Sequence, residues 1–138
     1  MRIFLDANIL FSAAYSDSAV RRLVKDLCET SCSLVADPYV LEEALRNLEV
    51  HRPEAVVWLH DFSRSLTIVV TNRSSREIPP DIRLPDKDIP VLATALGAGC
   101  DILATGDSRH FGPLFGKTFG RLTILSPVDT ARAVLGQR

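Results

Sequence analysis

The chain has 138 residues, the length of one domain with a sizeable core rather than of two. Sixteen Lys and Arg against seventeen Asp and Glu give a net charge of −1, and 46% hydrophobic with 24% charged residues is ordinary globular composition. These values disfavour an intrinsically disordered tail and a strongly basic nucleic-acid coat, while a near-zero total is silent on how the charges are distributed.

In chain order, Arg2 to Leu5 is a short apolar run ending at Asp6, which predicts a first strand followed by a loop. Ser18 to Cys28 repeats Val20, Leu23, Val24 and Leu27 at helical spacing. Ser33 to Ala36 predicts a second strand, and Asp37-Pro38 suits the cap and first position of a helix carrying Val40, Leu41, Ala44, Leu45 and Leu48. Pro53 opens a further helix with Val56, Val57, Trp58 and Leu59. Leu66 to Val70 is β-branched and apolar, a third strand.

Residues 71–85 contain Asn72, Ser74, Ser75, Pro79, Pro80 and Pro85 and form the one long irregular segment, which carries Arg73, Arg76 and Arg83. Long loops in compact domains often serve function. Lys87 to Ala98 predicts a mostly apolar helix closed by Gly99, with Asp86 suited to cap it and Pro90 in its first turn. Asp101 to Ala104 predicts a strand running into Thr105-Gly106-Asp107, with a short helix from near Ser108 that Asp107 would cap. A last strand at Leu122 to Leu125 and a helix from Pro127 complete the pattern.

Three cysteines, Cys28, Cys32 and Cys100, fit neither a disulfide framework nor a zinc ribbon and point to a reducing compartment. The N-terminus carries Asp6 and lacks the layout of a secretory leader, and no run approaches the roughly 18 apolar residues of a membrane span. A cytoplasmic protein with no membrane partner is the expectation.

Strands separated by helices imply an α/β fold: a three-layer α/β/α sandwich around a central parallel sheet of about five strands, in one domain over residues 1–138. Ligands of such sheets bind at the carboxyl ends of the strands, where strand order reverses. Asp6 and Asp107 follow strands, so both carboxylates reach one edge if those strands are parallel neighbours. Glu42 or Glu43 in the early turns of the Pro38 helix, and Asp86 or Asp88 at the start of the Lys87 helix, are positioned to join them. Phasing at about 100° per residue puts Glu42 and Glu43 on either side of the apolar stripe and does not choose between them.

Carboxylates packed at one site raise one another's pKa unless a cation neutralises them. Oxygen donors suit Mg²⁺ or Mn²⁺, and metal held by acids is suited to phosphodiester hydrolysis. Asn8 offers an amide beside Asp6, Thr105 a hydroxyl, and His110 lies three residues beyond Asp107, within reach of the same edge. Asp101, at the start of its strand, reads as a turn residue, and His51 and His60 as surface residues of helices.

At this point four segments in order resemble the PIN-domain nucleases, including the VapC-type toxins of bacterial toxin–antitoxin pairs. They are Ile3-Phe4-Leu5-Asp6-Ala7-Asn8-Ile9-Leu10, Tyr39-Val40-Leu41-Glu42-Glu43, Asp86 through Ala95, and Asp101-Ile102-Leu103-Ala104-Thr105-Gly106-Asp107 with His110-Phe111. The resemblance implies a metal-dependent endoribonuclease using Mg²⁺ or Mn²⁺, with RNA as substrate, an antitoxin protein as partner and a homodimer as assembly. It maps the family's metal-binding acids onto Asp6, Glu43, Asp88 and Asp107, with Glu42 and Asp86 as the alternatives and Asn8 and Thr105 in support. The chain departs from the family pattern in its longer, glycine-rich loop after Asp107 and in Pro90.

Setting the four mapped acids aside leaves sixteen basic against thirteen acidic residues, a mildly basic remainder. Arg73, Arg76, Arg83, Arg109, and Arg21 and Arg22 at a further remove, are candidates for phosphate contacts. Two competing readings are a non-catalytic PIN-like domain that binds RNA or protein, and an aspartate-based phosphatase or phosphoacceptor domain. An intact set of four acids opposes the first. The second is opposed by the lack of Asp-x-Asp after the first strand and of Lys-Pro after the last.

Overall fold

The inner strands are apolar on both faces, as strands covered on two sides must be. Ile3, Phe4 and Leu5 of β1 (Arg2–Leu5) and Leu103 and Ala104 of β4 (Ile102–Ala104) are fully buried. The computed structural model describes residues 1–70 and 78–136. Within them the sheet also contains β2 (Ser33–Ala36), β3 (Thr67–Ile68), β5 (Thr118–Phe119) and β6 (Leu122–Leu125), in the order β3-β2-β1-β4-β6-β5. All neighbours are parallel except β5, which returns antiparallel along the β6 edge.

Helices cover this sheet as a three-layer α/β/α sandwich: α1 (Ala7–Tyr15), α2 (Ala19–Cys28), α3 (Pro38–His51), α4 (Val56–Ser63), α5 (Ile89–Gly97) and α6 (Pro127–Leu135). Helix α1 packs on α2, α3 and α4, α2 packs on α6, and α5 packs against β4. Their starts follow sequence chemistry. Ser18 caps α2 through Arg21 N–H, Asp37 caps α3 through Val40 N–H, and Ser126 caps α6 through Asp129 N–H. Proline occupies the first turn of α3, α5 and α6, where its missing N–H costs no helical bond.

Several expectations need correction. The segment after Asp6 is not a loop but helix α1, which Asp6 itself caps. Ala7, Ile9, Leu10, Ala13 and Ala14 of that helix are all buried and Phe11 is half-buried, so it lacks the polar face by which a surface helix announces itself. Helix α5 begins at Ile89, not Lys87, because residues 86–88 form a turn, and Asp86 therefore caps nothing. The helix opened by Pro53 starts as a 3₁₀ turn over Pro53–Ala55. Strand β3 is confined to Thr67–Ile68, and β5 adds an edge strand beyond the five expected. Residues 108–111 form turns rather than a helix, followed by a 3₁₀ turn at Gly112–Leu114. Asn72, Arg73, Ser74, Ser75 and Arg76 lie outside the described residues.

The strand order fixes where a ligand can sit. From β1 the chain passes to β2 on one side, and from β4 it passes to β6 on the other, so the crossovers diverge between β1 and β4. This divergence opens the crevice at the carboxyl edge that ligands of doubly wound sheets use. The register pairs Leu5 with Ala104, which brings Asp6 level with Thr105.

Leu103 is fully buried in the central strand that carries Thr105 and Asp107, whereas Val128 of α6 is 59% exposed. Leu103→Ala is expected to cost about 2–5 kcal/mol in urea unfolding, and Val128→Ala no more than about 0.5 kcal/mol. Equal costs for the two would contradict this placement of the core.

Candidate metal centre at the carboxyl edge

Asp6 leaves β1 while still tied to the sheet: its N–H donates to Ala104 O at 3.0 Å. Its side chain is 4% exposed and fully engaged. Oδ1 accepts the Ala7 N–H at 2.8 Å, and Oδ2 accepts Thr105 Oγ1 at 2.8 Å and Asn8 Nδ2 at 3.1 Å. Thr105 Oγ1 accepts the Asp107 N–H at 3.1 Å, so one hydroxyl links the carboxylate at the end of β1 to the backbone beyond β4. Asn8 closes the frame, its Oδ1 accepting the Gly106 N–H at 2.6 Å. A Cβ at Gly106 would lie 3.2 Å from Asn8 Oδ1, close enough that the Asn8 side chain would have to give by a few tenths of an ångström.

Asp107 and Asp88 stand opposite. Asp107 Oδ1 accepts the His110 N–H at 3.0 Å, closing the turn that stands where a capped helix is expected, and Oδ2 lies 2.8 Å from His110 Nδ1. With an ionised carboxylate that contact requires the ring to carry a proton on Nδ1. The same nitrogen lies 3.1 Å from Asp88 Oδ2, but one proton aimed at Asp107 cannot serve both. Asp88 Oδ2 is thus buried without a hydrogen bond, although Asp88 itself is only 9% exposed. The turn that holds it is fastened to α3 by Tyr39 Oη, which donates to Lys87 O at 2.7 Å.

The electrostatics record the crowding. Burial pushes the Asp6 carboxyl up from 3.8 to about 6; the bonds from Thr105 and Ala7 oppose the rise, and the charges of Asp88 and Glu43 add to it. Asp88 is also shifted upward, by burial first and by Asp107 in addition, against Lys87 and His110. Anions brought together in low dielectric are costly, and a buried carboxylate oxygen without a donor is one that a cation can serve. Hard oxygen donors with one imidazole nitrogen beside them suit a divalent cation. The residues present therefore fit a bound Mg²⁺ or Mn²⁺.

Glu43 of α3 is half-buried and near enough to act on Asp6, while Glu42 is exposed on the same helix and Asp86 is exposed in the turn before α5. Within each pair, then, one acid is turned inward and the other faces solvent. His110 was legible as a neighbour of Asp107 but not as the side chain that touches two acids. Asp101 takes the structural part expected of it, accepting Arg2 N–H at 2.8 Å and Arg121 Nε at 3.1 Å at the opposite edge. Arg21 is spent on the end of α1, donating to Ala13 O at 2.7 Å and Ala14 O at 3.1 Å, with its guanidinium 4.7 Å from the Trp58 ring. Arg22 is exposed on α2, and Arg83 and Arg109 are exposed at the acidic edge, where with His110 they line a cavity of about 470 Å³.

An acid whose pKa is higher in the folded than in the unfolded chain binds its proton more tightly when folded, so stability falls as pH rises between the two values. In protein freed of divalent cations, Asp6→Asn is therefore expected to gain on the parent by up to roughly 3 kcal/mol between pH 4 and pH 6. Unfolding midpoints measured across that window check this, and parallel pH slopes for the two proteins would contradict a buried carboxylate of this kind.

Residues 2–109 match the family model described as PIN domain. No curated protein matches the sequence. Among solved structures, DNA-bound VapBC from Salmonella typhimurium is similar with a TM-score of 0.67 at 17% identity, over 92% of this chain and 98% of that one. VapBC2 from Rickettsia felis, bound to a promoter DNA fragment, gives 0.65 at 15% identity over 91% and 98%. VapC20 of Mycobacterium tuberculosis, described as a Sarcin-Ricin loop cleaving toxin, gives 0.59 at 16% identity over 84% and 98%. At these identities the likeness is one of fold. The family model, by contrast, takes in every acid gathered where β1 and β4 end, and on that match the chain belongs to the PIN domain family.

Proposed function

We propose that this protein is a metal-dependent endoribonuclease that hydrolyses RNA phosphodiester bonds, and that it is the toxin of a toxin–antitoxin pair. The observation that carries the reading is a buried Asp88 oxygen left without a hydrogen bond beside Asp107 and His110, at the edge where the charges of Asp88 and Glu43 act on the buried Asp6. Its toxin half is supported by the fold shared with VapC20, a toxin that cleaves the Sarcin-Ricin loop, and with the DNA-bound VapBC complexes.

In this reading the four acids hold Mg²⁺ or Mn²⁺, with Asn8 and Thr105 in support. Such an ion supplies Lewis acidity that activates water and neutralises phosphoryl charge. The chain's own residues supply the frame. Thr105 and Asn8 fix the Asp6 carboxylate by two hydrogen bonds to one oxygen, leaving it a single orientation. His110 fixes Asp107 by its peptide N–H and its ring. Arg83 and Arg109, flanking the neighbouring cavity, meet the phosphates on either side of the bond to be cut. Glu42 and Asp86, both exposed, have no part in holding the ion.

Incubation with end-labelled single-stranded RNA tests this. Cutting is expected with MnCl₂ or MgCl₂ and not with EDTA, and Asp6→Asn and Asp107→Asn each are expected to slow it by about 100-fold or more. Undiminished cutting by either variant would sink the assignment of the site. For the toxin half, induced expression of the parent protein is expected to arrest growth of a host and Asp6→Asn not to. Growth arrest by both would overturn it.

A further inference from the structure

Among the described residues, His110 brings one ring nitrogen against the carboxylates of two of the acids. Its Nδ1 lies 2.8 Å from Asp107 Oδ2 and 3.1 Å from Asp88 Oδ2. The three side chains offer one donor atom each, all within 4.8 Å of one another. We propose that His110 Nδ1 is itself a ligand of the metal centre, together with Asp88 and Asp107, and that the centre therefore selects a nitrogen-accepting transition-metal ion, Mn²⁺ among them, over Mg²⁺. The inference rests on the metal-holding site read under Proposed function and adds a ligand and a metal preference to it.

Three observations carry it. First, two donors at right angles on an ion with bonds of about 2.1 Å lie about 3 Å apart, which is the spacing of His110 Nδ1 from both carboxylate oxygens. Second, the hydrogen-bond alternative leaves a deficit: a single Nδ1 proton serves Asp107, and the second buried oxygen, on Asp88, goes without. A cation meets both oxygens and the nitrogen at once, with the ring deprotonated at Nδ1. Third, the imidazole is held in place before any ion arrives. Its peptide N–H is bonded to Asp107 Oδ1, and the next residue, Phe111, is fully buried and anchors the loop. Imidazole nitrogen is a good ligand for first-row transition metals, whereas Mg²⁺ prefers oxygen and gives up water reluctantly.

The rival arrangement keeps His110 as an internal cation that an arriving metal displaces, and the two differ in sign. If Nδ1 is a ligand, removing the ring weakens Mn²⁺ and leaves Mg²⁺ nearly unchanged. If the ring is a displaced cation, removing it strengthens both.

Calorimetric titration of metal-free protein with MnCl₂ and with MgCl₂ decides the point. The parent protein is expected to bind Mn²⁺ at least about tenfold more tightly than Mg²⁺, and His110→Ala to lose most of that preference through weaker Mn²⁺ binding. Retained Mg²⁺ binding by the variant shows its site is folded. A variant with the parental Mn²⁺ preference, or with tighter binding of both ions, overturns the proposal, as does a parent protein that binds neither. Pulsed electron paramagnetic resonance of the Mn²⁺-loaded parent reads the ligand without any variant: coupling to a directly bound ¹⁴N is expected, and its absence overturns the assignment. Mn²⁺ preference and ¹⁴N coupling in a protein that does not cut RNA would uphold His110 as a ligand while overturning the nuclease reading.

Discussion

The parallel pairing of β1 with β4 is the constraint on which the rest depends. Because Leu5 is in register with Ala104, the residues that follow each strand emerge side by side at one edge of the sheet. Asp6 is then level with Thr105, and a single hydroxyl can bind the carboxylate of one segment and the backbone of the other. The same register sets the crevice, since the crossovers leave β1 and β4 in opposite directions. Buried apolar strands supply the rigidity: Phe4, Leu5, Leu103 and Ala104 are fully buried, so the edge they present cannot slide without exposing core.

A sheet edge built this way concentrates negative charge in a place that burial makes expensive. Asp6 answers with hydrogen bonds, three donors to two oxygens, and burial still outweighs them and pushes its pKa up to about 6. Asp107 takes both the peptide N–H and the ring of His110, and Asp88 Oδ2 beside the same ring is left without a hydrogen bond. Stability alone would favour replacing such acids with apolar residues. Their retention in a folded crevice is the behaviour expected of a site whose neutralising charge comes from outside the chain. Charge is partitioned accordingly: a near-neutral protein carries a dense acidic centre and a mildly basic remainder, with Arg83 and Arg109 beside the crevice.

Much of this was legible in the sequence, and the exceptions have identifiable physics. Strands Arg2–Leu5, Ser33–Ala36 and Leu122–Leu125 were read at their observed bounds because each is a short apolar run closed by a polar residue or a cap. Helix α1 escaped because periodicity marks a boundary between core and solvent, and this helix is buried on nearly every side. The sequence places the start of α5 two residues early because Asp86 and Asp88 both suit a cap, and only the turn at residues 86–88 distinguishes them. Glu42 and Glu43 flank the apolar stripe symmetrically, so the packing of α3 on α1 and α4, a tertiary fact, had to orient the helix. His110 had a signal in its spacing of three from Asp107, but its approach to Asp88 depends on a contact between segments 22 residues apart in sequence.

The central claim is that these acids form one cation-holding centre. It is tested most directly by anomalous diffraction from crystals of the protein soaked in MnCl₂ and recorded at the manganese edge. The account predicts an anomalous peak bounded by the side chains of Asp6, Asp88 and Asp107. A fully soaked crystal with no peak there, or with manganese only elsewhere on the surface, would contradict it.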